Sequence, residues 1–225
     1  HKTRQHGIYF SLNKSNRIRC DGIESGSFLQ TDLRGFKMKN VVITLFGSSI
    51  IEARRGAAVA SERWYNILYR SLTDHFPETC FPIYNSAIGG QSTRECMTRF
   101  ERDVVATNPD FCLVMMGANN HDCTRPQRIL AEGEFETLME QFARGLPQKT
   151  TPIGVVLNPV IDDWHFASRH PAYQELIKTY GGLNASLELE RDSFRAFIRR
   201  HNWASLDLCE AFGDNPAQYI LPEDG

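Results

Sequence analysis

From Met38 onward, short apolar runs alternate with stretches whose apolar residues recur every three or four positions. The apolar runs are Val41 to Phe46, Phe81 to Asn85, Phe111 to Met116, Ile153 to Leu157 and Trp203 to Leu208. Each is short and apolar, as expected of parallel strands covered on both faces. Between them, Trp64, Ile67, Leu68 and Leu72 fall on one helical face. So do Phe135, Leu138, Met139 and Phe142, and again Leu187, Phe194, Phe197 and Ile198. Ser61 followed by Glu62, and Ser92 followed by Glu95, supply helix starts. Strand-helix alternation of this kind predicts an open α/β sheet with helices on both sides.

Two stretches stand outside the pattern. Residues 1–37 lean basic and carry little periodicity, and they stop just before "MKNVVITLFG", which looks like a natural N-terminus running into the first strand. They read as an N-terminal extension or non-native leader, with a short accessory hairpin around Ile8 to Ile18 as the alternative. Residues 38–225 form the main domain. Within it, Asn158 to Leu183 follows the fourth strand and so projects from the carboxyl edge of the sheet, where open α/β sheets carry their ligand crevice. A long, aromatic-bearing insertion there is expected to serve as a lid or substrate wall.

Composition narrows the function classes. A chain of 225 residues fits one domain with a sizeable core. Lys plus Arg is 25 against Asp plus Glu 27, which argues against nucleic acid or an anionic membrane as a partner. No apolar run approaches the roughly 20 residues of a membrane helix, and "HKTRQHGIYF" lacks the apolar centre of a signal peptide. The six cysteines form no C-x-x-C pair and match no zinc spacing. Cys112 lies inside a strand run and reads as a buried free thiol. A reduced, cytoplasmic protein follows, although the chain opens at His1 rather than Met and so leaves room for a removed leader.

Polar residues converge on one edge of this scaffold. Ser49 follows the first strand, Gly89-Gly90 in "NSAIGGQST" follow the second, and Asn119-Asn120 in "MMGANNH" follow the third. Acyl transfer needs a nucleophile, a base, and donors aimed at the developing oxyanion. A hydroxyl, an unobstructed glycine N–H and an Asn amide fill two of those three needs. A turn serine, a positive-φ glycine and a loop-tethering Asn would account for the same residues one at a time. "DDWH" at Asp162 to His165 is a weak metal pattern, and no metal is expected. Arg54 and Arg55 in "EARRG" are equally readable as an anion attractor and as a solvated helix end.

Taken together, the motifs resemble those of the SGNH hydrolases, the GDSL esterase/lipase family, from roughly Met38 to the last residue. "LFGSSI" stands where that family has its G-D-S-L block, which makes Ser49 the nucleophile. "NSAIGGQST" looks like the second block, with Gly90 as backbone donor, and "GANN" is similar to G-x-N-D, with Asn119 as the oxyanion amide. "LPEDG" reads as the start of D-x-x-H, with Asp224 as the acid and its histidine expected two residues after Gly225. The resemblance implies a three-layer α/β/α sandwich with a five-stranded parallel sheet in flavodoxin-like order. It also implies a serine esterase acting on an acyl or acetyl ester, possibly of a carbohydrate or lipid, through an acyl-enzyme, with no cofactor and a small-molecule substrate. The alternatives are a non-catalytic ligand-binding protein lacking the histidine, and an acyltransferase. Should the base instead lie within residues 1–225, His121, His165 and His170 are the replacements to consider. Two positions depart from the family: Ser48 stands for its Asp beside the nucleophile, and Asn120 for the Asp after the third-block Asn.

Overall fold

The structure is a computed structural model and describes residues 9–12, 18–21, 38–55, 57 and 59–223. The chain divides into two units, residues 1–37 and 38–225. In the first, β1 (Tyr9–Leu12) pairs antiparallel with β2 (Ile18–Asp21), with Tyr9 opposite Asp21.

In the second unit, a small parallel pair, β3 (Lys39–Asn40) with β5 (Thr79–Cys80), precedes the main sheet. The main sheet has five parallel strands: β4 (Ile43–Gly47), β6 (Ile83–Asn85), β7 (Phe111–Met115), β8 (Thr151–Val156) and β9 (Ala204–Asp207). Their spatial order is β6-β4-β7-β8-β9, the 2-1-3-4-5 order of flavodoxin-like sheets. All five fall within or beside the apolar runs named above. Successive side chains on a strand point to opposite faces, and the core follows that rule. Phe46, Cys112, Val114 and Val156 pack on one side against Phe100, Phe142, Phe194 and Phe197. Ile43, Leu45, Met115 and Val155 pack on the other side, against Ile51 and Trp64. Two apolar layers separated by one sheet make the three-layer sandwich.

The helices are α1 (Ser49–Glu52), α2 (Trp64–His75), α3 (Thr93–Met97), α4 (Phe100–Asp103), α5 (Glu134–Gly145), α6 (Gln174–Tyr180), α7 (Leu183–Arg200) and α8 (Leu208–Phe212). Helix α3 begins with a full capping box: Ser92 accepts from Glu95 N–H while the Glu95 carboxylate accepts from Ser92 N–H. Ser61 does not cap α2. It lies in a 3-10 turn, Ala60–Glu62, and α2 starts after Arg63. On α2, Trp64 and Leu72 face the core, but Ile67 is 49% exposed. Cys112 is buried and free, and burial pushes its thiol up to about 12. Among the described residues no helix is long and apolar enough to cross a membrane.

The order β6-β4-β7 carries a functional consequence. Chain connections leave β4 toward β6 and later return to β7 on the other side, so the loops after β4 and β7 diverge and leave a crevice between them. Ser49 opens α1 just after β4, and Asn119 lies in the loop after β7.

Candidate active site

The turn at the end of β4 can only be made around glycine. Gly47 has φ +151, and a Cβ placed on it would meet the Met115 carbonyl oxygen of the neighbouring strand at 2.4 Å. The chain therefore passes flush against β7 before α1 begins. Ser48 is buried and Ser49 is exposed at the first turn of α1. This separates the two serines that the sequence sets side by side: only Ser49 presents its hydroxyl outward. Among the described residues the Ser49 side chain makes no hydrogen bond.

The loop after β6 lies against this turn. A Cβ built on Gly89 would stand 3.7 Å from Ser49 Cβ. The two glycines of the motif differ in what their N–H groups do. Gly89 N–H donates to Glu52 Oε2 at 3.0 Å, whereas Gly90 N–H meets no protein acceptor among the described residues. Gly90 also sits at φ +78, which favours glycine, so conformational need and a free donor coincide there. The third element closes the group: Asn119 Nδ2 donates to Gln91 O at 3.1 Å. That bond uses one amide hydrogen and leaves the other. Ser49, Gly89-Gly90 and Asn119 thus stand together at the β4/β7 crevice. Asp224 lies outside the described residues.

Several supporting residues carried no motif. Arg99 is the chief one. Its buried guanidinium donates to Gly47 O at 3.0 Å, to Ser86 O, and through Nε to Gln91 Oε1 at 2.6 Å. It pairs with Asp103 at 2.9 Å, and its Cζ stands 4.6 Å from the Phe46 ring centre. One cation therefore ties together the carboxyl ends of β4 and β6 and the loop that carries Gly90. An Arg four residues before an Asp on a helix is a common surface pair, and nothing in the sequence distinguishes this one as buried.

Asn120, the departure from the family's Asp, has a physical reason here. Its Oδ1 accepts from Thr93 N–H at 2.9 Å, and its Nδ2 donates to Glu190 Oε2 at 3.2 Å. A carboxylate could accept from Thr93 but could not donate to Glu190, so Asn120 and Glu190 are matched. Burial pushes the Glu190 carboxyl up to about 7, against the lowering effect of the Asn120 bond. The sequence signal is the loss of one acid in the third block together with an acid on the apolar-striped helix α7.

Two of the three histidines considered as replacement bases cap short turns. His165 and His170 accept through Nδ1 from Ala167 N–H and Ala172 N–H, each at 3.2 Å, and so cap short 3-10 turns. His121 is largely enclosed; burial lowers its pKa, and its Nε2 has no partner. Asp162 of "DDWH" accepts from Leu183 N–H and Asn184 N–H at 3.1 and 2.8 Å, capping α7. No group of three or more His, Cys, Asp or Glu among the described residues could hold a metal ion. Arg54 is exposed and lies 3.6 Å from Glu52.

The sheet order and its flanking helices are those of the SGNH hydrolase fold. The chain belongs to the GDSL-like Lipase/Acylhydrolase family, whose model it matches over residues 43–219; ester hydrolysis is that family's chemistry. It is similar in structure to the lipase/acylhydrolase from Enterococcus faecalis. The TM-score is 0.62 at 18% identity, covering 81% of this chain and 85% of that one. It is likewise similar to Axe2, an acetylxylan esterase from Geobacillus stearothermophilus, with a TM-score of 0.57 at 18% identity over 83% of this chain and 84% of that one. Identities this low speak for the fold alone. In sequence it is 29% identical over 86 residues to YqeF, an uncharacterized lipoprotein of Bacillus subtilis (strain 168). The match spans 38% of this chain and 31% of that protein, less than a third of the curated relative's length.

Proposed function

We propose that the protein is a serine esterase that cleaves a short acyl or acetyl ester through an acyl-enzyme on Ser49. The observation that carries the reading is the grouping of an outward serine, a glycine N–H without an acceptor and a half-used Asn amide at the crevice. Ser49 Oγ attacks the ester carbonyl carbon, and its proton passes to a histidine base oriented by Asp224. The carbonyl oxygen becomes an oxyanion that accepts from Ser49 N–H, Gly90 N–H and the Asn119 amide. Collapse expels the alcohol, which takes the proton back from the histidine; water then repeats the sequence on the acyl-enzyme. By the D-x-x-H pattern the base belongs two residues after Gly225.

Two measurements test this. Treating the protein with a fluorophosphonate and mapping the adduct is expected to place it on Ser49; a label confined to Ser48 sinks the assignment. Short-chain ester turnover is also to be compared between residues 1–225 and a chain continued through the next encoded histidine. The shorter chain should retain only binding and the oxyanion donors, which in serine proteases leave about 1,000- to 10,000-fold over water. Equal turnover would move the base inside residues 1–225.

A further inference from the structure

The loop after β7 brings two guanidinium groups to Gly90. A Cβ placed on that glycine would lie 3.7 Å from Arg128 Nη1 and 3.9 Å from Arg125 Nη1. The two cations are not equivalent. Arg128 is committed: its side chain is 12% exposed, with Nε 2.9 Å from Glu95 and Nη1 3.2 Å from Asp122. Arg125 is 52% exposed, and its nearest carboxylate oxygen, also of Asp122, is 4.0 Å away. That carboxylate is already taken up by Arg128, Thr124 and the Tyr173 hydroxyl. Among the described residues the Arg125 guanidinium makes no hydrogen bond at all.

The root of the side chain is nevertheless held. Arg125 N–H donates to Asp122 O at 2.9 Å, Arg128 N–H donates to Arg125 O at 2.8 Å, and Pro126 follows in a 3-10 turn. A guanidinium carries five donors in a planar fork that matches the paired oxygens of a carboxylate or phosphate. Here such a fork stands at the oxyanion glycine, on a fixed turn, with its donors unspent. The carboxylates around it balance the cations, so the feature acts at contact range rather than as a long-range field.

Building on the esterase reading, we propose that Arg125 is a specificity-determining residue that receives a carboxylate or phosphate lying next to the scissile ester. The preferred substrates are therefore anionic esters. The anion belongs either to the acyl part or to the alcohol part, and both place it within a few atoms of the carbonyl.

The test uses the full chain, and two matched pairs separate the sources. For the acyl side the pair is 4-nitrophenyl hydrogen succinate against 4-nitrophenyl pentanoate; for the alcohol side it is 2-acetoxybenzoate against its methyl ester. The readout is the ratio of kcat/KM for the anionic over the neutral member. In Arg125→Gln that ratio is expected to fall roughly 10- to 100-fold in at least one pair, the size of a charge-assisted hydrogen bond. Arg125→Lys should restore part of it, since it keeps charge but loses the fork. An unchanged ratio in both pairs overturns the proposal, as does an equal fall for the neutral member, which would make Arg125 a general oxyanion donor. Should no ester of either kind be cleaved, the esterase reading fails separately, and calorimetry with phenyl phosphate decides the anion site. Binding that weakens in Arg125→Gln supports it, and absent or equal binding overturns it.

Discussion

The loops after β4 and β8 leave the same edge of the sheet and are built in opposite ways. The first runs from Gly47 straight into α1 and is positioned by backbone: a close approach to Met115 O and a carbonyl held by Arg99. The second spans Asn158 to Gly182 and is positioned by side chains. Its two 3-10 turns and α6 gather around Ala167 and Tyr173, a small cluster apart from the two main ones. Asp162 ties it to α7, Arg191 holds Asn158 O at 2.7 Å, and Tyr173 reaches Asp122 at 3.0 Å. Geometry set by backbone contact tolerates almost no adjustment, whereas geometry set by side-chain ties can loosen one tie at a time. The nucleophile belongs on the first kind of support, and a substrate wall is compatible with the second.

The strongest way to break this contrast is Arg99→Ala. It removes the tethers on Gly47 O, Ser86 O and Gln91 and leaves the half-buried Asp103 without its inner partner. Asp103 keeps Arg102, so the cost comes from the acceptors left unmet, about 1–3 kcal/mol each, and urea unfolding should show a fall of about 3 kcal/mol. A fall under about 1 kcal/mol would mean that the turn after β4 holds itself. Next in size is Asn119→Ala, expected to lower kcat about 100- to 1,000-fold, or about 2.7–4 kcal/mol, with little change in KM. A raised KM with kcat intact would make Asn119 a loop tether and the crevice less finished than it looks.

How much of this was legible beforehand depended on the range of the interactions. The five strands and the capping box at Ser92–Glu95 follow from neighbours in sequence, and so were readable from periodicity and residue type. Ser49, Gly90 and Asn119 were singled out because each sits at a strand end, and the structure brings them together. Arg99, Glu190 and Arg125 were not, because each acts on a partner brought close only by the fold. Glu190 is 70 residues from Asn120, and no local pattern marks such a pair. The Asn158–Gly182 stretch resisted assignment for the same reason: its turns are stabilised by caps such as His165 and by ties to other loops, not by a stripe.

Outside both loops, Asn120 of the loop after β7 faces Glu190 on α7, and pH probes that contact. Burial raises the Glu190 carboxyl from its ordinary range to about 7 in the folded state. The folded protein therefore holds a proton that the unfolded chain releases above about 4.5. The contribution is fully favourable below that pH and is lost as pH rises through about 7. Glu190→Gln keeps an acceptor for Asn120 and removes the titration. It should be more stable than the wild type at pH 8 by roughly 2–3 kcal/mol, and the gap should close toward pH 5. Urea midpoints at pH 5, 6, 7 and 8 for both proteins isolate the effect. A gap that does not change with pH would show that Glu190 stays ionised throughout.

The smallest expected effect tests the side-chain-tied region by itself. Tyr173→Phe deletes one hydroxyl from an almost buried ring and leaves its packing against the Ala167 cluster in place. The lost bond is to Asp122, whose carboxylate keeps Thr124 and Arg128 as partners, so no bare charge is left behind. Burial and that carboxylate hold the phenol in its protonated, donating form. The net loss should be about 1 kcal/mol or less in global stability. What should respond more is local opening, because few ties join this stretch to the rest. Amide exchange at Gly181, whose N–H closes α6 on Ile177 O, should accelerate several-fold while amides of β7 stay as they were. If β7 loosens in step with Gly181, the insertion opens only with the whole domain, and the distinction between the two loops disappears.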